Sequence, residues 1–347
     1  MNFLYVNYPS FIHPEIFPGV QALSMLRWYG LMYIFAFGTA YFLLNKQMKE
    51  GALDAPGYKA TSDDIFSYII CGIVFLLIGA RVGSCLIYDT TGLYRSKPWL
   101  IFWPFQNGKF TGLAGMSYHG GVVGGFIGLL VWCLIHKKNF WQWADVMCVA
   151  IPFGYFFGRL GNFLNGELFG RVTTMPWGMV FPAAERFSTK LPWVQEFCTK
   201  IGMDISNLNY VNLPRHPSQL YEAIFEGIVT GIILWLCRKH KKYDGQLGWM
   251  YIGIYGFFRF FIEYCRQPDS DMGFRTGSKS MDISEISQNI SFTNLSTGQI
   301  LCLIMIVSSI AMNLILFFRA RKKGLSVQNG YTNPELKNQK PKEKNKK

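Results

Sequence analysis

Residues 300–318 read ILCLIMIVSSIAMNLILFF, without one charged side chain. A helix needs about 20 predominantly apolar residues to cross the hydrocarbon core of a bilayer. Six further stretches meet that length with more interruption: 28–44, 65–87, 116–135, 143–164, 220–237 and 247–264. The core helices of water-soluble proteins are amphipathic, so seven runs that are apolar on every side cannot all be buried in one such fold. Composition agrees, with 50% hydrophobic and 16% charged residues against about 25% charged in an ordinary soluble domain. A disordered chain, a collagen-like fibre and a typical cytosolic enzyme are thereby excluded. The expected fold is an all-α integral membrane protein of seven transmembrane helices.

The distribution of basic residues predicts its orientation. With the N-terminus outside, the inside segments carry 19 Lys and Arg and the outside segments 11. Short cytoplasmic loops hold the basic excess, so the C-terminus is expected in the cytoplasm. No Lys or Arg precedes Arg27, which leaves no basic n-region for a cleavable signal peptide, and the first span is expected to be retained. The chain divides into a seven-span transmembrane region, 1–318, with a small outside-facing head segment over 165–217, and a tail over 319–347. That tail is Lys-, Asn- and Gln-rich and reads as disordered, cytoplasmic and drawn to anionic headgroups. It lacks interleaved aromatics apart from Tyr331, so no nucleic-acid partner is expected. Eight cysteines without a CxxC pair argue against a zinc site or a disulfide framework.

Charge inside a span is costly, about 2.5–3.5 kcal/mol per residue at the bilayer centre on insertion scales. Arg27, Arg81, Arg159 and Arg259 nevertheless fall at or inside spans, accompanied by Glu167, Glu222, Glu226 and Glu263. Arg27, at a span boundary, reads as a snorkelling side chain. The others cluster in patterns. Tyr255, Arg259, Glu263 and Arg266 are spaced 4, 4 and 3, which places them within about 80° on one helix face. Arg259 and Glu263 can pair at i,i+4. Glu222 and Glu226 also share a face and would repel unless a cation sits between them, which the interior arginines can supply.

The third span opens MSYHGGVVGGFIG, a stripe of Gly120, Gly124 and Gly128 preceded by His119. Small-residue stripes let helices approach closely, which by itself explains the glycines. An imidazole is a side chain suited to proton transfer near neutrality, although a structural histidine is the plainer alternative for His119. The fourth span ends GRLGNFLNGELFGR over 158–171, where Arg159, Asn162, Asn165 and Glu167 alternate with four glycines. Helical character is expected to fail there, and irregular polar backbone at membrane depth survives only when buried or lining a cavity. Arginine forks match phosphate geometry, so these residues together fit an anionic phosphate ligand reached from the membrane, a phospholipid. A transporter or flippase for an anionic lipid accounts for the same charges. A scaffold without activity leaves 158–171 unexplained.

The stretch 158–171, with RWYGLMY at 27–33, MSYHGG at 116–121, HPSQLYE at 216–222 and YGFFRFFIEYCRQPD at 255–269, resembles bacterial prolipoprotein diacylglyceryl transferases. The resemblance extends from about residue 9 to 318. It implies seven spans with the N-terminus outside and an enzyme of the bacterial cytoplasmic (inner) membrane, its active site within the membrane towards the periplasmic side. The implied reaction moves the diacylglyceryl group of phosphatidylglycerol onto the lipobox cysteine thiol of a preprolipoprotein signal peptide. A thioether forms and glycerol phosphate leaves, without a metal or cofactor. By motif, the implied catalytic residues are Tyr29, His119, Arg159, Arg259 and Glu263. Arg159, Asn162, Glu167, Gly170, Tyr255, Arg259 and Arg266 are implied to bind substrate. A thiol of ordinary pKa near 8.5 is only about 3% thiolate at neutral pH, so a base is needed. His119 is the first candidate, and Glu263 or another acid the alternative. Arg159 and Arg259 are expected to hold the phosphate, with Glu167 and Glu263 orienting them.

Overall fold

The computed structural model describes residues 5–20, 26–55, 57–87, 89, 92–106, 109–110, 115–267, 274–276 and 292–322. Helices dominate: α1 (Trp28–Lys49), α2 (Ser62–Ile87), α3 (Tyr118–Ile135), α4 (Phe140–Leu164), α5 (Pro192–Lys200), α6 (Ser218–His240), α7 (Gln246–Ile262) and α8 (Thr297–Lys322). Among the described residues five of them, α2, α3, α4, α6 and α8, are long and apolar enough to cross a membrane. The sequence predicts spans where α1 and α7 lie as well. Both are helical, α7 over 17 residues. Every predicted span is therefore a helix. The outward sides of these helices are apolar, with Ile70, Val74, Val123, Phe126, Phe261, Ile304 and Val307 all exposed, a surface that suits lipid rather than water.

The chain forms two compact units, one of Met1–Ala40 and Cys148–Gln328, the other of Tyr41–Met147 and Asn329–Lys347. In the second unit the glycine stripe packs as its spacing suggests. A Cβ at Gly83 would lie 2.9 Å from the Cα of Gly120, and one at Gly128 would lie 2.6 Å from the Cβ of Phe75. Side chains are excluded here because two backbones touch. Ser117 caps α3 by accepting the Gly120 amide at 3.1 Å. The core is closed by Tyr68, Trp132 and Trp143, whose ring centres lie 4.5–5.2 Å apart. Arg81 is buried in this unit, where its guanidinium donates to the carbonyls of Ile101 (2.5 Å) and Gly115 (3.3 Å). Its charge is thus held by the backbone of its own unit.

The first unit carries α6 against α4. Gly227 and Gly231 meet Phe156 and Phe153, and a methyl group on either glycine would lie 2.8 Å and 2.7 Å from them. The stretch of α6 over Glu222–Val229 is wound as a π-helix, a rare form that is frequent at functional sites. Thr230 Oγ1 donates to the Phe225 carbonyl within this widened turn (2.8 Å). Between residues 165 and 217 the chain forms short strands and one helix, called the head below. Strand β1 (Val6–Asn7) pairs in parallel with β2 (Met179–Val180), and β3 (Arg186–Ser188) pairs antiparallel with β4 (Tyr210–Asn212). Val172, Phe187, Val194, Cys198, Val211 and Leu213 make its core.

Two expectations need correction. Helix α4 does not break at Gly158: it continues through Arg159, Gly161 and Asn162 to Leu164, and irregular backbone begins only at Asn165. Glycine costs a helix about 1 kcal/mol, too little to stop one that tertiary packing supports. Gly161 is retained because Tyr29 occupies the space a side chain would take, its ring carbon 3.2 Å from where a Cβ would stand. At the other end, α8 runs past residue 318 through Arg319 and Arg321 to Lys322. The tail beyond Lys322 and most of the loop at 270–295 lie outside the described residues.

Candidate active site

Helix α4 presents Tyr155, Arg159 and Asn162 at spacings of 4 and 3, one face of a helix. Helix α6 offers Glu222 and Glu226 from its π-turn, and α7 with the turn after it offers Arg259, Glu263 and Arg266. These side chains converge on Glu222, whose side chain is 0% exposed. Its Oε2 takes Arg159 Nε at 2.7 Å and lies 3.3 Å from an Arg259 Nη1. Its Oε1 takes Arg266 Nη1 at 2.6 Å. Three guanidinium groups thus share one buried carboxylate, the two shortest contacts in the range of charge-assisted hydrogen bonds. Arg259 also pairs with Glu263 (3.1 Å), and Arg266 Nε lies 3.5 Å from the same carboxylate. Ser296 Oγ fixes the other Glu263 oxygen by donating to it at 2.9 Å.

The arginines are the open side of this arrangement. Their side chains are 15%, 16% and 20% exposed, while Glu222 and Glu226 are at 0%. The two glutamates are thus fully buried while the three arginine side chains stay partly exposed, and guanidinium groups match the geometry of a phosphate. The cation expected beside the two neighbouring glutamates is Arg259, whose Nη1 lies 3.3 Å from Glu222 and 3.9 Å from Glu226.

Glu167 does not pair with an arginine among the described residues. Its Oε1 accepts the side-chain amides of Asn162 (3.0 Å) and Asn165 (3.3 Å). Asn162 Oδ1 in turn lies 3.5 Å from Arg159 Nη1, so Glu167 bears on Arg159 only through Asn162. The expectation that it orients an arginine directly is corrected. The reason is local: Gly166 takes φ +66° and Leu168 φ +57°, a tight turn that folds Glu167 back over the end of α4. Gln219 locks the turn by donating to the Glu167 carbonyl at 2.6 Å.

Gly170 is a backbone residue of the site. Its amide donates to the His216 carbonyl at 2.8 Å, and a Cβ there would strike the Cys265 carbonyl oxygen. The strand through Arg171 is hydrogen-bonded on both sides, its amide to Cys265 O (2.9 Å) and its carbonyl from the His216 amide (2.9 Å). Only glycine permits three segments to meet so closely. Tyr29 sits beside α4, with Tyr33 donating to its hydroxyl at 3.2 Å. The Tyr255 ring meets Tyr155 edge-on, centres 5.9 Å apart. His119 belongs to the other compact unit, exposed at the start of α3 with its ring against Tyr118.

Three residues of the site, Tyr155, Gln219 and Ser296, are not among those the sequence patterns single out. Tyr155 carried a signal, since it stands one turn before Arg159 on the same face; the Arg159 guanidinium lies 4.7 Å from its ring centre. Gln219 lies inside the HPSQLYE motif at 216–222, which marked the segment without giving it a role, and Ser296 acts through the chain's tertiary folding and carried none.

The family model for prolipoprotein diacylglyceryl transferase matches residues 19–315. The phosphatidylglycerol–prolipoprotein diacylglyceryl transferase of Treponema denticola is 50% identical over 335 residues, covering 92% of this chain and 96% of its own. The enzyme of the same name from Treponema pallidum is 47% identical over 316 residues, 88% of this chain and 94% of its own. That from Borrelia garinii is 43% identical over 317 residues, 88% and 92% of the two chains. Matched by the family model over residues 19–315 and by relatives up to 50% identical over about nine tenths of its length, the chain belongs to the prolipoprotein diacylglyceryl transferase family.

Proposed function

We propose that Arg159, Arg259 and Arg266 hold the phosphate of phosphatidylglycerol while its diacylglyceryl group passes to the lipobox cysteine of a prolipoprotein. The chain is a transferase of lipoprotein maturation, and its substrates are phosphatidylglycerol and the prolipoprotein. The observation that carries the site assignment is the convergence of three partly exposed arginines on the buried Glu222.

The reaction forms a C–S bond and breaks the glyceryl C–O bond, leaving negative charge on the departing phosphate. Preorganised donors aimed at that oxygen lower the barrier because they need no reorganisation as charge develops. Arg159 and Arg259 are the principal donors, Asn162 and Tyr29 are neutral ones, and Gly170 keeps the backbone bridges that hold Arg266 and Arg171 in register. The thiol proton needs a base. Glu263 is already engaged by two arginines and Ser296, so a proton there would weaken the cluster. An imidazole suits proton transfer near neutrality, so His119, which the MSYHGG motif marks, is the proposed base. The thiol proton balances the charge gained by glycerol phosphate, so the overall reaction consumes no other reagent.

We also read α1 and α7 as spans, giving seven with the N-terminus outside and 165–217 on the periplasmic side of the bacterial inner membrane. The Lys and Arg distribution supports that orientation. Purified protein, phosphatidylglycerol and a lipobox peptide test the chemistry directly. A thioether product is expected from the wild-type protein, and its absence would overturn the reading. His119→Gln should lose transfer while retaining lipid binding; wild-type turnover from that variant across pH 6 to 9 would remove His119 from the role of base.

A further inference from the structure

Tyr155 Oη lies 3.1 Å from Glu222 Oε2 and 2.5 Å from Glu226 Oε2. Both distances are those of O–H···O hydrogen bonds, and two such bonds need two protons. A phenolic hydroxyl carries one, and an ionised carboxylate carries none. The second proton therefore resides on a carboxyl group. Glu222 is the wrong owner, because three guanidinium groups already donate to or face its two oxygens. Glu226 is different. Its other oxygen, Oε1, is buried without a hydrogen-bond donor, and its nearest cation is Arg259 at 3.9 Å. An ionised carboxylate so placed would be left largely uncompensated at 0% exposure.

We propose that Glu226 is a neutral carboxylic acid whose proton is donated to Tyr155 Oη, while Tyr155 donates its own proton to Glu222. Glu226 is then a positioning residue that sets the charge of the arginine cluster. With Glu222 and Glu263 ionised and Glu226 neutral, Arg159, Arg259 and Arg266 leave one net positive charge. That is the complement of a single phosphodiester. With Glu226 ionised the cluster would be neutral and would attract no anion. A buried net charge is unfavourable until its counter-charge arrives, so the phospholipid itself completes the site. The other titratable groups that act on Glu226 are Arg159 and Tyr155 on α4, and Arg259 on α7 with Tyr255 beside Tyr155; Cys302 on α8 is the group that Glu226 in turn influences. None of them supplies the missing donor to Oε1.

The link to phosphate rests on the function proposed above; the protonation does not, and the two are separable. Infrared spectroscopy of the intact protein in phosphatidylglycerol-free lipid at pH 7 should show the carbonyl stretch of a protonated, buried carboxylic acid. The band should vanish in Glu226→Gln and shift in Tyr155→Phe, which removes its acceptor. A wild-type spectrum without the band, or one left unchanged by both variants, overturns the proposal, and the Tyr155 variant keeps the test valid should the Glu226 variant fail to fold. In turnover, raising the pH should ionise Glu226, neutralise the cluster and raise KM for phosphatidylglycerol about tenfold per pH unit beyond the transition, with kcat much less affected. Glu226→Gln should abolish that slope, whereas an identical slope in the variant counts against the charge-setting role. A band that behaves as expected, together with wild-type turnover in Arg159→Lys and Arg259→Lys, upholds the protonation and defeats the phosphate assignment.

Discussion

Two sets of largely buried arginines in the same compact unit hold their charge in opposite ways. Arg159, Arg259 and Arg266 point at carboxylates. Arg171 and Arg215, in the head, do not: among the described residues neither has a carboxylate within ion-pair distance. Arg171 Nε donates to the Arg266 carbonyl, and its guanidinium lies 5.0 Å from the Phe274 ring centre. Arg215 Nη1 donates to Gln267 Oε1 (2.5 Å) and Gly170 O (3.4 Å), with its head between the rings of Phe169 and Phe187. Burial lowers both of these guanidinium pKa values to about 10, which still leaves them charged at neutral pH. The difference separates two tasks. An arginine donating to carbonyls ties segments of backbone together, and that bond has no reason to exchange. An arginine paired with a carboxylate has its charge matched, and in the cluster its side chain stays partly exposed, whereas Arg171 Nη1 and Nη2 and Arg215 Nε and Nη2 are buried without a hydrogen-bond partner among the described residues.

Glu222→Gln is the substitution with the largest expected effect on this contrast. Removing one partner of a buried ion pair costs about 3–5 kcal/mol, since it strands the other charges. Melting in detergent should fall accordingly, and thioether formation should be lost. Wild-type melting from this variant would mean that the cluster is not organised around Glu222. Next come Arg159→Lys and Arg259→Lys. These keep a charge but lose the planar fork, and a lost transition-state donor is worth about 10²–10³ in rate. Turnover should drop by that factor with little change in melting. Arg215→Ala should invert the pattern. Loss of hydrogen bonds to a charged group costs about 1.5–3 kcal/mol, so its melting temperature should fall by more than its kcat does. If Arg215 and Arg159 variants show the same profile, the division into tying and binding arginines fails.

Much of this was legible in the sequence. Helices stand wherever seven apolar runs were marked, and among the described residues five of them are long and apolar enough to cross a membrane, where backbone hydrogen bonds must be satisfied internally. The stripe of Tyr255, Arg259, Glu263 and Arg266 was legible for a related reason, since periodicity converts directly into a shared face. The requirement of Glu222 and Glu226 for a cation was legible from charge alone. What was missed is conformational or tertiary. The glycines of 158–171 suggested a broken helix, but Gly161 is there to admit Tyr29 and Gly170 to admit Cys265 O, and neither use has a local signal. The π-turn at Glu222–Val229 has no sequence mark that separates it from an α-helix. Glu167 reads as a charge for an arginine until the turn at Gly166 folds it onto two asparagines.

The smallest expected effect sharpens the comparison from the head. His216 joins the same bridge as Arg171, its amide donating to the Arg171 carbonyl at 2.9 Å. Its Nδ1 lies 3.2 Å from the Tyr221 hydroxyl. Burial first, and the nearby Arg171 charge second, push its pKa down to about 4 from the usual 6.5. The unfolded chain therefore binds a proton at pH values where the folded one does not. Stability contributed by His216 is full above about 6.5 and is lost as the pH falls from there towards 4. Carboxylates also titrate across this window, so the informative quantity is a difference. Wild type and His216→Gln should be melted in parallel at pH 7.5 and pH 4.5. The wild-type melting temperature should fall further than that of the variant, because only the wild type must force a second positive charge beside buried Arg171 or unfold to accept it. Parallel decreases would place His216 outside the electrostatics of the head. A steeper decrease in the wild type, with cluster-dependent lipid binding preserved down to the onset of melting, would show that acid strains the tying arginines before it reaches the binding ones.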